Sequence, residues 1–282
     1  PISPSEEVNE MWLIVMLVLN ERPRRVEISV SWAPSWSPQG DRFAYSSASV
    51  TVGAPGCRPH NDLNLLNPET RVVTGVLTPT ADFVHGWWGE SLAWSPDGRR
   101  LAYAHANEVG VVELSSPRWR TLYSFAPLRT KGDWVWLLQI SWSPDGKRIV
   151  ASVHQGREAD PSFALYLLDP NSGSAVRIAD DVGEWSGASW SPIGDRLAYG
   201  KVDRRAGGRR CHLFEMVVSQ WGQPTELLPP ERDGGPNAQI CWAPHGERLI
   251  WVTHGDLYLV DPSDGSAQPP TASGLASHPR WR

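Results

Sequence analysis

A ten-residue pattern recurs five times along this chain of 282 residues and constrains its fold more than any other feature. The segments read WSPQGDRFAY from Trp36, WSPDGRRLAY from Trp94, WSPDGKRIVA from Trp142, WSPIGDRLAY from Trp190 and WAPHGERLIW from Trp242. Each Trp is followed two positions on by Pro (38, 96, 144, 192, 244), four on by Gly (40, 98, 146, 194, 246) and six on by Arg (42, 100, 148, 196, 248). Successive Trp are 58, 48, 48 and 52 residues apart, and Trp281 follows 39 after the fifth. Chance does not set four residue types in one frame five times, so the chain is an array of repeats.

The chemistry of the unit indicates its shape. Pro fixes φ at the second position of a tight turn, and Asp-Gly supplies residues that tolerate positive φ. The turn therefore folds one strand back on the next as a hairpin. The strand after it, such as Leu101-Ala102-Tyr103-Ala104, is apolar on both faces, which suits burial between neighbouring sheets. A third strand follows in each unit: Leu63–Leu66, Val109–Leu114, Phe163–Leu168, Leu213–Val218 and Leu257–Val260. Turns such as Asp169-Pro-Asn-Ser-Gly and Asp261-Pro-Ser-Asp-Gly end two of these, and a fourth strand comes next, for example Ala175–Ile178. Four short strands in every 40 to 50 residues are the mark of a β-propeller. One four-stranded sheet cannot bury both its faces alone, so the units must stack around an axis.

The pattern W-S-P-D-G-x-R-[LI]-A-Y resembles the PD40, or WD40-like, repeat of TolB-like propellers, and the likeness runs over nearly the whole chain. Related repeats occur in the propeller domains of prolyl oligopeptidase-type peptidases and in oligogalacturonate lyases. The resemblance implies an all-β, six-bladed β-propeller of four-stranded antiparallel blades. One domain then covers 1–282, with blades starting near 32, 90, 138, 186 and 238 and a closing blade from 11–30 plus 277–282. In that last blade Trp12–Leu19 reads as the third strand, Arg24–Ile28 as the fourth and His278–Arg282 as the first, shared between the termini. The sequence supplies no second strand for it. Truncation, an incomplete blade, or a strand added by a partner across the exposed edge would each account for that.

Composition excludes some functions. With 26 Lys and Arg against 31 Asp and Glu the formal net charge is −5, so the chain has no global attraction to nucleic acid or to anionic lipid. The apolar run Met11–Leu19 is nine residues, short of the roughly 20 a membrane span needs, and reads as a buried strand. It follows Glu6, Glu7 and Glu10, unlike the basic start of a signal peptide. A beginning at Pro1 points to a processed form or a fragment. Cys57, Cys211 and Cys241 have no CxxC spacing; they read as small apolar fillers, with one disulfide plus a free thiol as the alternative. No G-x-S-x-G, H-E-x-x-H or P-loop appears, and Asp261-Pro-Ser-Asp-Gly lacks the later Glu of a calcium loop. Arg204, Arg205, Arg209 and Arg210 form a basic, Gly-containing loop, read as a solvated excursion.

Repeat residues are architectural, so function is expected in what varies between units. In propellers of this kind the motif turns occupy one face. The opposite face carries the segments that join each fourth strand to the next blade, and these are rich in Trp: Trp32, Trp87, Trp88, Trp134, Trp136 and Trp185. They alternate with Asp82, His85, Glu90, Asp133, Asp181 and Glu184. Aromatic planes beside carboxylates suit sugar rings, cationic groups, or a peptide with basic or apolar side chains. The competing reading packs these Trp between blades. His105, His154 and His254 follow their motif Trp by eleven or twelve residues and read as ending the second strand. With His85 they would form a metal site, as the resemblance to oligogalacturonate lyases implies; polar strand ends are the plainer reading.

Three functions follow as expectations. The first is a non-catalytic binding or scaffold propeller recognising a protein, peptide or glycan at a Trp-rich channel mouth, with no cofactor. The second is a metal-assisted polysaccharide lyase or hydrolase at the same mouth, and the third a structural subunit of a larger assembly. The resemblance implies an extracytoplasmic location, periplasmic or secreted.

Overall fold

The computed structural model describes residues 35–51, 58–77, 92–105, 108–116, 118–125, 138–157, 160–183, 188–203, 210–217, 223–228, 239–268, 271 and 274–275. Among these residues the secondary structure is entirely β. Blade 1 is β1 (Ser35–Trp36), β2 (Phe43–Thr51), β3 (Arg58–Asn67) and β4 (Val72–Leu77). Blade 2 is β5 (Leu92–Trp94), β6 (Arg100–His105), β7 (Glu108–Glu113) and β8 (Arg118–Ser124). Blade 3 is β9 (Gln139–Trp142), β10 (Ile149–Arg157), β11 (Asp160–Leu168) and β12 (Ala175–Val182). Blade 4 is β13 (Ser189–Trp190), β14 (Arg196–Asp203), β15 (Arg210–Val217) and β16 (Pro224–Glu226). Blade 5 is β17 (Gln239–Trp242), β18 (Leu249–Thr253), β19 (Asp256–Val260) and β20 (Ala267–Gln268).

Every blade is an antiparallel meander in chain order. Blades 3 and 4 merge into one eight-stranded sheet because Val182, at the end of β12, pairs with Lys201 of β14. The first strands β1, β5, β9, β13 and β17 lie side by side in that order, so the blades are arrayed about their inner edges. The closing blade expected from 11–30 and 277–282 lies outside the described residues.

The core is a series of layers between blades, and strand alternation builds it. Side chains point to opposite faces at successive positions. On β6, Leu101 and Tyr103 join Ala44, Leu63 and Leu65 of blade 1, while Ala102 and Ala104 join Ile140, Trp142 and Ile149 of blade 3. On β10, Ile149, Ala151 and Val153 turn to blade 2 and Val150 to blade 4. On β14, Leu197 and Tyr199 turn to blade 3 and Ala198 to blade 5. A strand apolar at every position is thereby satisfied on both sides.

Candidate functional site

Each motif turn is held by the same backbone bonds. The N–H of Gly40 donates to the Ser37 carbonyl and the N–H of Ser37 to the Arg42 carbonyl, both at 2.9 Å, and the other four turns repeat this pair. Pro sits at the second turn position, as the sequence indicates. Positive φ falls on glycine alone in these turns, from 67° at Gly98 to 78° at Gly246. Asp has a different task from the one its pairing with Gly suggested. The buried hydroxyl of Ser95 donates to Asp97 at 2.6 Å and accepts from the Arg100 N–H at 2.9 Å. Ser143 and Asp145 repeat this, and Ser37 and Ser191 use Asp41 and Asp195 from the other side of the glycine. Donation from Ser95, then from the Arg99 N–H, holds the Asp97 carboxyl below its ordinary range. Sequence reading overlooked this serine, although its recurrence in four of five motifs was visible; the fifth carries Ala243.

Trp and Arg join successive blades. The indole N–H groups of Trp94, Trp190 and Trp242 donate to the carbonyls of Ser35, Ser141 and Ser189, the residue before each preceding motif Trp. The guanidinium groups of Arg42, Arg100 and Arg196 lie over the rings of Trp94, Trp142 and Trp242 at 5.6, 4.7 and 4.8 Å. Arg100 and Arg196 also donate to the carbonyls of Gly146 and Gly246 in the next turn. Two positions depart from the pattern: Trp142 Nε1 is buried without an acceptor, and Arg148 turns to Asp169 of its own blade at 3.6 Å. A cleft of ≈ 350 Å³ opens between the motif turns of blades 1 and 2, lined by Gln39, Asp41, Arg42, Asp97 and Arg99 of those turns together with Leu114 and Ser115, which follow β7.

The Asp-Pro turns make a further junction. In Asp169–Gly173 the carboxylate accepts from the N–H groups of Asn171 and Ser172, and Gly173 takes φ 77° against the Leu122 carbonyl of blade 2. Gly265 meets the Leu227 carbonyl of blade 4 in the same way. A hairpin turn thus accounts for the sequence that partly matched a calcium loop.

The sequence-derived site falls largely beyond this frame. Trp32, His85, Trp87, Trp88, Trp134, Trp136 and Trp185, with Asp82, Glu90, Asp133 and Glu184, lie outside the described residues, as do Cys57 and 204–209. The strand ends flanking those Trp-bearing segments are described: Leu77 and Leu92, Ser124 and Gln139, Val182 and Ser189. Each first strand runs from such an end toward its motif turn, so these ends are opposite the turns. Asp181 stands within β12 rather than in a connection, exposed, at φ 54°.

The histidines occupy unlike environments. His105 ends β6 as expected. His154 does not end its strand: β10 continues to Arg157, and His154 is a buried residue paired with Phe163, the rings edge to face at 5.1 Å. Burial pushes its pKa down to about 4, which keeps the imidazole neutral at pH 7. His254 is exposed at φ 52° in the two-residue turn His254-Gly255 between β18 and β19. Among the described residues no three His, Cys, Asp or Glu side chains gather as a metal would require. Cys211 is buried in the layer between blades 4 and 5, and Cys241 is half-buried on β17. In blade 2, burial raises the pKa of Glu108, and burial with the Glu108 charge lifts Tyr103 to about 12.

No protein-family model and no curated protein matches the chain. Solved structures do. TolB from Acinetobacter baumannii superposes with a TM-score of 0.53 at 17% identity over 85% of this chain and 53% of that one. The β-propeller domain of the Trilobed protease from Pyrococcus furiosus gives 0.57 at 13% identity over 85% of this chain and 69% of that one. Pyrococcus horikoshii acylaminoacyl peptidase gives 0.56 at 14% identity over 85% and 39%. The chain spans about half the length of that TolB structure. Among the described residues no helix is long and apolar enough to cross a membrane. Identities this low speak to fold alone, and with the five stacked meanders they establish it: the chain has the fold of a TolB-like β-propeller.

Proposed function

We propose that this protein is a non-catalytic binding propeller of six blades, the last shared between the termini, whose Trp-rich mouth engages a protein, peptide or glycan. One observation carries the reading. The motif Trp of blades 2 to 5 are buried in the layers between blades, three of them bonded to the preceding blade, so architecture consumes them. Trp32, Trp87, Trp88, Trp134, Trp136 and Trp185 stand outside the repeat frame and outside the described residues. The described strand ends on either side of 78–91, 126–137 and 184–187 are opposite the motif turns, which favours a mouth on that face. Indoles alternating with carboxylates at such a mouth offer flat apolar contact together with hydrogen-bond acceptors.

Binding of a basic-peptide library and of an oligosaccharide panel tests this. Trp87→Ala and Trp134→Ala each weaken the selected ligand about 30-fold, the size of a typical aromatic anchor of about 2 kcal/mol, and leave the melting transition in place. Unchanged affinity in both variants removes the mouth as the site. The resemblance to TolB-like propellers supports an extracytoplasmic location, periplasmic or secreted, and a role within a larger complex.

The enzymatic alternative, metal-assisted lysis or hydrolysis of a polysaccharide, needs His85, His105, His154 and His254, or a subset, to converge. A buried, neutral His154 inside a strand and an exposed His254 in a turn weigh against it. Metal analysis of the purified protein, with activity assayed on adding Mn²⁺ or Zn²⁺, separates the two readings.

A further inference from the structure

Motif turns meet at four described junctions, and the first is built differently. At the other three, the Pro of one turn lies against the Gly of the next. Pro96, Pro144 and Pro192 stand 3.7, 3.5 and 3.4 Å from the place a Cβ on Gly146, Gly194 and Gly246 would take. Between blades 1 and 2 the atoms nearest such a Cβ on Gly98 belong to Gln39 instead of Pro38. Gln39 Nε2 donates to the Asp97 carbonyl at 3.2 Å, and its amide covers the buried Gly98. The other motifs carry Asp97, Asp145, Ile193 and His245 at that position, so this wedge is particular to blade 1. Arg42 registers the spacing. It lies 5.6 Å from the Trp94 ring, against 4.7 and 4.8 Å for Arg100 and Arg196 on their rings. Those two reach the carbonyls of Gly146 and Gly246; among the described residues Arg42 has no such bond to Gly98, and its Nε is buried without an acceptor. The space held open is the cleft of ≈ 350 Å³.

The walls of this cleft are polar, and their charges are paired. Blade 1 contributes Asp41 with Arg42 3.7 Å from it, and blade 2 contributes Asp97 with Arg99 two residues on. Oδ1 of each carboxylate accepts from its motif serine at 2.6 Å, which leaves Oδ2 of each without a hydrogen bond among the described residues. The Ser95 hydroxyl, and then the Arg99 N–H, keep Asp97 ionised by holding its carboxyl below the ordinary range. The exposed guanidinium of Arg99 has no acceptor among the described residues. Ser115 adds a hydroxyl and Leu114 an apolar patch. An anion drawn to either arginine meets an aspartate in the same wall, and a cation meets the reverse, so neither gains much from the field. A hydroxyl both donates and accepts, and a carboxylate–guanidinium couple satisfies both at once. We infer that the cleft binds a neutral sugar residue, one edge of its hydroxyls set against Asp41 and Arg42 and the other against Asp97 and Arg99. The volume is within the range of small-molecule sites, about 300–1,000 Å³. The cleft is on the motif-turn face, opposite the strand ends that favour a mouth, so this inference is independent of what the mouth binds.

Titration of the full chain with the methyl glycosides of glucose, galactose and mannose, followed by saturation-transfer NMR and calorimetry, tests this. At least one is expected to bind with a Kd of about 1 mM, while glucuronate and glycine, an anion and a zwitterion, bind more weakly. Arg99→Ala is expected to weaken the glycoside about tenfold and leave the melting transition in place. Gln39→Asp, which gives blade 1 the residue of blades 2 and 3 and lets Pro38 close on Gly98, is expected to abolish binding. Binding of no neutral glycoside, tighter binding of glucuronate or glycine, or unchanged affinity in Arg99→Ala overturns the inference. Should Arg99→Ala melt early, Ser115→Tyr, which fills the cleft from its exposed end, decides: binding lost supports the inference and binding kept overturns it. A diazirine-bearing form of the bound glycoside then locates the site. Labelling within 35–51 or 92–116 supports the cleft. Labelling only within 78–91, 126–137 or 184–187 overturns it and leaves the mouth standing as a glycan site.

Discussion

The Arg196 guanidinium stacks on the Trp242 ring at 4.8 Å, and its Nη2 donates to the Gly246 carbonyl at 3.2 Å. One side chain of blade 4 thereby holds both the indole and the turn of blade 5. The same guanidinium lies 3.6 Å from Glu215, whose carboxyl is largely buried and shifted upward by that burial. Arg196→Met is therefore expected to cost about 3 kcal/mol in denaturant unfolding, since it leaves a buried carboxylate unpaired. Pairing it with Glu215→Gln should recover more than half, and additive losses would show that the two do not act together.

Gly173 and Gly40 separate backbone strain from blade docking. Both have positive φ, 77° and 71°, but a Cβ on Gly173 would stand 2.7 Å from the Leu122 carbonyl of blade 2, and one on Gly40 would meet nothing within 4 Å. Gly40→Ala should cost about 1 kcal/mol, the strain of a left-handed residue. Gly173→Ala should cost at least twice that, because the two blades must part as well. Thermal melts of the two variants give the comparison directly.

Much of this architecture was legible in the sequence, and the reason is local. Pro and Gly shape every motif turn, and the Trp and Arg contacts each recur at three of the four described junctions, so their spacing prints the blade period on the chain. The third strands and the Asp-Pro turns could be read for the same reason. His154 could not be placed correctly, because distance from a motif Trp does not give strand length: β10 continues to Arg157, while β6 stops at His105. The motif serine was overlooked because its partner Asp sits on either side of the glycine, two positions on at Asp97 and four at Asp195. The candidate site was legible only as composition. Its Trp lie between the repeats, at spacings that do not recur from unit to unit.

Ser191→Ala removes a fully buried hydroxyl that accepts from the Arg196 N–H and donates to Asp195. A loss of about 1–2 kcal/mol is expected, as for a buried donor left without its partner. Asp195→Ala should add little on top, measured as a double-mutant cycle.

His154 makes the fold acid-sensitive. Its folded pKa is about 4 against an ordinary 6.5, so between those values the unfolded chain binds the extra proton. Stability from the neutral imidazole is complete above pH 6.5 and is lost as pH falls toward 4, by up to roughly 3 kcal/mol for a shift of that size. His154→Phe should flatten this part of the stability curve. An identical slope in the variant would assign the acid sensitivity to other groups.

The central claim is that architecture consumes the motif tryptophans and recognition uses the rest. Tryptophan oxidation mapped with and without the selected ligand tests it most directly. The account predicts that ligand slows oxidation at Trp87, Trp88, Trp134 and Trp136 and leaves Trp119, exposed on the outer strand β8, unchanged. Protection of Trp119 with no change at the other four would contradict it.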